Sequence, residues 1–189
     1  MLAIFQAMTG IAAYVTQTGH IIAVSLDSPI FSIYTPIVIT IAQLVGTFIS
    51  VPLMQFMEWK TLTLIGGFTC ALWNGLIGMF FWFYKEYTSF DEYGLTLGVV
   101  TILAFMFTFG ITVGSAAWPY AGYMMPSRAI LFAQVLNWLL AGCVIIFFSV
   151  DVHATGSPSI MIWIYCGVTF FLSCLFWILL INIKGKNVV

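Results

Sequence analysis

Between Lys60 and Lys85 no side chain is charged, and the same is true from Tyr93 to Ser127. Uncharged apolar runs of this length restrict the fold more than any motif does. In a hydrocarbon layer roughly 30 Å thick, a helix rising about 1.5 Å per residue needs about 20 apolar residues to cross. A helix also satisfies its own backbone N–H and C=O groups, which lipid cannot do. Six such runs lie near residues 2–26, 33–55, 61–84, 94–119, 129–150 and 159–182. They are separated by DSPIF, QFMEWK, YKEYTSFDEYG, MMPSR and DVHATGSP. None alternates polar with apolar residues, so the strands of a membrane barrel are excluded. The expectation is an all-α integral membrane protein, a single six-helix transmembrane domain over residues 1–189.

Composition supports this class and excludes others. With 62% hydrophobic and 6% charged residues, the chain cannot coat a soluble surface, where about a quarter of residues are charged. Lipid is therefore an expected partner, and a net charge of −1 argues against nucleic acid, whose recognition needs a basic surface. Cys70, Cys143, Cys166 and Cys174 all stand in apolar runs without a CxxC pair, which reads as small packing residues rather than a disulfide or zinc framework. The two histidines, His20 and His153, fall at or beyond span ends. No Ser/His/Asp, Cys/His or metal-ligand constellation is present, so no catalytic residue, metal or cofactor is expected and the chain does not read as an enzyme. The first run has neither a basic flank nor a small-residue cleavage site, which argues against a signal peptide.

The few charges are segregated. Lys60, Arg128, Lys184 and Lys186 fall on one side of a six-span bundle, whereas Asp27, Glu86, Asp91, Glu92 and Asp151 fall on the other with Lys85. The cationic side, with both termini, is expected to face the cytoplasm or a mitochondrial matrix. No span carries a charge at its midpoint, so ion-coupled chemistry is not indicated.

Five landmarks then stand in order along the chain. QAMTGIAAYV, from Gln6, resembles the QQLSGIN segment opening the seventh helix of sugar porters, the hexose-transporter branch of the major facilitator superfamily. EWKTLTLIGG (Glu58 to Gly67) is similar to the stretch after the family's GRR signature. ITVGSAAWPYAGYMMPS resembles its broken tenth helix, Asn137-Trp138 its eleventh-helix Asn-Trp, and Lys184 to Lys186 the KGR of PETKGR. The resemblance implies the C-terminal six-helix half of such a transporter, built as two inverted three-helix repeats, with no N-terminal half attached. One half supplies one wall of a midplane site.

By that resemblance Gln6, Gln43, Trp118, Asn137 and Trp138 are the candidate sugar-facing residues. An amide offers a hydroxyl both donor and acceptor, and an indole packs on a pyranose. The same amides also serve as interhelical hydrogen bonds, and the same rings as packing. Ala7 and Ala12 stand where the family carries Gln and Asn. Of the family's gating charges only Glu58, Lys60, Arg128 and Lys184 are candidates, because Gln55, Trp59, Tyr123 and Asn182 replace the others; solvated loop charges are the alternative. Gly10, Gly110, Gly114 and Gly142 are expected to allow close helix approach, with a kink over Gly114 to Pro119.

Two functions are compatible with these residues. The substitutions favour a degenerate sugar-transporter-like half kept as an accessory subunit among other membrane subunits, with a mitochondrial inner membrane as one setting. The alternative is a half-size facilitative hexose transporter acting as a dimer or with a separate N-terminal half, for which a plasma membrane is equally suitable.

Overall fold

The computed structural model describes residues 2–26, 29–86, 91–155 and 159–179. Asp27, Asn182, Lys184 and Lys186, which the sequence singles out, lie outside the described residues. The described elements are helices: α1 Leu2–Met8, α2 Ile11–Leu26, α3 Pro29–Phe56, α4 Trp59–Glu86, α5 Asp91–Ile111, α6 Val113–Met124, α7 Ser127–Thr155 and α8 Ser159–Leu179. Among the described residues, five segments are long and apolar enough to cross a membrane, namely Tyr34–Phe56, Trp59–Phe83, Leu97–Tyr123, Ser127–Thr155 and Ser159–Leu179. The remaining run, 2–26, is divided between α1 of 7 residues and α2 of 16.

Several helices outrun the apolar segments that define them. α7 continues to Thr155, past the expected end at 150, because a helix keeps its backbone bonded through the interface as well as through lipid. This moves Asp151 out of the loop where the sequence placed it. Asp151 is only 8% exposed. Its Oδ2 accepts the Met161 N–H at 3.1 Å in the first turn of α8. A carboxylate there satisfies one of the orphan donors of a helix start and meets its positive dipole end.

α3 packs against α5 and α2, α7 against α1 and α2, and α4 against α8, α5 and α6. Exchanging α1–α4 for α5–α8 maps α3–α5 onto α7–α1, α2–α7 onto α6–α3 and α4–α8 onto itself, as two inverted three-helix repeats require; the α4–α6 packing has no comparable counterpart. The α3/α5 crossing is backbone on backbone. A Cβ on Gly110 would strike the Gln43 carbonyl, and one on Gly46 the Phe107 carbonyl, with the Ile111 nitrogen 3.1 Å away. The expectation for Gly110 therefore holds. Gly142 differs, since a Cβ there meets nothing within 4 Å, and Cys143 is exposed rather than packed.

The core is an aromatic ladder. Tyr14 meets Phe105 edge-on at 5.0 Å and Phe148 at 6.4 Å, while Phe148 stacks on Tyr165 at 6.4 Å. Phe5 closes the other end against Phe176 at 4.8 Å. These rings join α2, α5, α7 and α8, so the burial of each holds several helices together.

Candidate functional site

A helix that stops inside a bilayer strands carbonyls that water cannot reach. The run 2–26 stops at Thr9, and Gly10 takes φ +79°, a left-handed conformation that costs other residues energy. The stranded carbonyls all find donors. Thr9 Oγ1 donates to Gln6 O at 2.7 Å and the Gly10 N–H to Ala7 O at 3.3 Å. From α8, Thr169 Oγ1 donates to Met8 O at 3.1 Å, and from α4, Asn74 Nδ2 donates to Thr9 O at 3.1 Å. Asn74 Oδ1 in turn accepts the Tyr14 hydroxyl at 2.7 Å.

A second break separates α5 from α6. The expected kink over Gly114 to Pro119 is displaced: the helix is interrupted at Thr112, with φ −116° and ψ −93°, and Pro119 sits inside α6. Hydroxyls explain the displacement, because they compete for the carbonyls the helix would use. Thr112 Oγ1 donates to Thr108 O at 2.6 Å, and Ser115 Oγ to Ile111 O at 3.2 Å. The Thr112 N–H is shared between Thr108 O at 3.1 Å and Phe109 O at 3.2 Å. Trp73 of α4 reaches this break too, its Nε1–H donating to Thr108 Oγ1 at 3.2 Å. Two consecutive residues of α4 thus brace both broken helices.

The candidate sugar-facing residues lie on contiguous elements. Gln6 is on α1, Trp118 on α6 and Asn137 on α7, and each of these helices touches the other two; α3, carrying Gln43, touches α6. Gln6, Gln43, Trp118 and Asn137 are half-buried. Asn137 Oδ1 is buried without a hydrogen-bond partner. Its neighbour Trp138 is 71% exposed, because successive helical residues point about 100° apart; the two do not share a face.

The candidate gating charges are not drawn together. Glu58 and Lys60 are half-buried at the start of α4 and Arg128 is exposed in the first turn of α7, helices that are not packed neighbours; Lys184 lies outside the described residues. Trp59 and Tyr123, where the resemblance expects an arginine and an acid, instead pack ring edge to face at 4.6 Å and 62°.

The sequence reading did not single out Asn74, Thr169, Tyr14 or Trp73. The available signal was the lone amide in CALWNGLIG, since a polar side chain within a span is costly unless paired.

A multi-pass helical bundle with two interrupted helices braced by a third is an architecture found among membrane transporters, whose sites are commonly built from discontinuous helices. The family described as sugar (and other) transporter matches residues 1–187, and the chain belongs to it. Two Plasmodium vivax proteins named hexose transporter 1 are 24% and 22% identical over 170 residues, 87% of this chain and 32% of each relative. The chain thus spans about a third of the length of these curated relatives. The solved proton:xylose symporter XylE, bound to 6-bromo-6-deoxy-D-glucose, shares the fold with TM-score 0.82 and 19% identity over 98% of this chain and 39% of that one.

Proposed function

We propose that the chain forms one six-helix wall of a passive sugar pathway, closed by a second helical unit that supplies the opposing wall. The observation carrying this reading is the Asn137 amide. Its Oδ1 is buried and unpartnered on a helix packed against α1, where Gln6 sits. A buried acceptor left unpaired costs about 1 to 3 kcal/mol, which a sugar hydroxyl donating to it recovers. Gln6 and Gln43 offer further amides to a polyol, and Trp118 offers a ring face to its apolar side. Hexoses, transported by relatives of that name, suit this donor and acceptor set. The roles are binding and passage, with no chemical step assigned to any residue.

The test is saturable hexose uptake into proteoliposomes made from membranes that produce the protein. Gln6→Ala is expected to raise the half-saturating concentration about 5- to 150-fold, the equivalent of about 1 to 3 kcal/mol. Uptake that is absent, or indifferent to Gln6→Ala, contradicts the reading.

The Trp59–Tyr123 ring pair favours a second reading, an accessory membrane subunit without transport, because apolar rings in place of ions give a charge-driven switch nothing to act on. That reading requires fixed co-purification with other membrane proteins. It also requires release by Leu139→Arg, at a site 65% exposed, where insertion scales assign an arginine about 2.5 to 3.5 kcal/mol.

A further inference from the structure

The geometry points to Asn74 as a positioning residue for the sugar pathway, fixing the orientation of Gln6 by holding the first helix break, an inference that rests on the transport reading above. Asn74 is fully buried in α4 and spends both ends of its amide on the break residue Thr9 and on Tyr14 of α2. Nδ2 donates to Thr9 O at 3.1 Å and Oδ1 accepts from Tyr14 OH at 2.7 Å. The two contacts lie on opposite sides of Gly10, so one side chain sets the angle between the short helix carrying Gln6 and the longer helix beyond it. Without the Nδ2 donor, the Thr9 carbonyl regains a partner only from the Ala13 N–H, through continuation of the helix across residues 9 to 13. That continuation turns the Gln6 face relative to α2.

α4 is suited to this role because it does not itself carry a candidate sugar contact. It packs against α8, α5 and α6, and the preceding residue, Trp73, bonds Thr108 beside the second break at 3.2 Å. The two interrupted helices are therefore referenced to one uninterrupted helix.

Asn74→Leu keeps much of the volume and removes both bonds, whereas Tyr14→Phe removes only the hydroxyl and leaves the Thr9 contact. Both are studied in the membrane-embedded full chain, with Thr169→Ser as the conservative variant that retains a donor to Met8 O. Asn74→Leu is expected to accelerate amide hydrogen exchange over residues 5–14 about tenfold and to leave α3 unchanged, as a local opening does. Tyr14→Phe acts in the same direction with a smaller effect, and Thr169→Ser exchanges as the wild type does. In hexose uptake, Asn74→Leu is expected to raise half-saturation about tenfold while the maximal rate stays within about twofold, the signature of altered binding.

Unchanged exchange over residues 5–14, in Asn74→Leu or in Tyr14→Phe should the former fail to fold, overturns the inference. Accelerated exchange with unaltered half-saturation overturns it too, leaving Asn74 a structural brace only. A wild-type chain without uptake removes the transport reading separately. The positioning role is then decided by the rate at which a water-soluble maleimide labels Gln6→Cys, which must differ between the Asn74 and Asn74→Leu backgrounds.

Discussion

Gly110→Val is expected to prevent the bundle from folding. Gly110 faces the Gln43 carbonyl, with the Thr47 nitrogen 3.2 Å from the position of a Cβ, and Gly46 on α3 presents the same absence to the Phe107 carbonyl and the Ile111 nitrogen. Overpacking typically costs 1 to 3 kcal/mol when neighbouring side chains can yield, and here the neighbours are two helix backbones, so about 3 kcal/mol or more is expected. Against a total stability of roughly 5 to 15 kcal/mol, that loss, added to displacement of the α3 segment bearing Gln43, is severe. Size-exclusion profiles and thermal melts in mild detergent measure it. Gly110→Val should lose the monodisperse peak, whereas Gly142→Ala, where a Cβ meets nothing within 4 Å, should melt at or slightly above the wild-type temperature because alanine is the better helix former. A Gly110→Val protein that elutes and melts as the wild type would show that α3 and α5 are not in backbone contact.

Gly10→Ala is expected to have the next largest effect. With φ at +79°, any side chain bears about 1 to 2 kcal/mol of steric cost. The new methyl also stands 2.7 Å from Tyr165 Cδ2, for which overpacking adds about 1 to 3 kcal/mol. Tyr165 cannot retreat freely, because its hydroxyl bonds Val144 O at 3.1 Å and its ring stacks on Phe148. A melting temperature lowered by an amount matching about 2 to 5 kcal/mol is the expected result, and one close to the wild type would contradict the break at Thr9.

Apolar run length made the spans legible, since lipid demands it whatever the side chains are doing. Interruptions inside a span were not legible in the same way. Gly10 was expected to allow close approach, and it does so toward Tyr165, but a glycine inside an apolar run does not reveal its φ. Pro119 drew attention because it lacks an N–H, yet the break falls at Thr112, where two hydroxyls compete for the carbonyls. Asn74 is the lone amide of α4, and its partners, Thr9 and Tyr14, lie 65 and 60 residues away, so only the folded chain identifies them. The landmark tryptophans Trp118 and Trp138 could be located from residue patterns, and so could the presence of a break near Gly114, though not its position. That Asn137 and Trp138 point in different directions follows from helical spacing alone, but which of the two is turned inward depends on how α7 is rotated against α1.

The most direct test of the sugar pathway is protection from labelling. In a chain lacking its four native cysteines, cysteine is introduced singly at Gln6, Asn137 and, as a control, Ile178, which is 79% exposed on α8. A water-soluble maleimide is then applied to membranes with and without saturating hexose. On the proposed reading residues 6 and 137 line a wet cavity that hexose fills, so both should react and be slowed by the sugar, while residue 178, on an outward apolar face expected to meet lipid, should stay unreactive in both conditions. Residues 6 and 137 that fail to react, or react at a rate indifferent to hexose, would contradict the account.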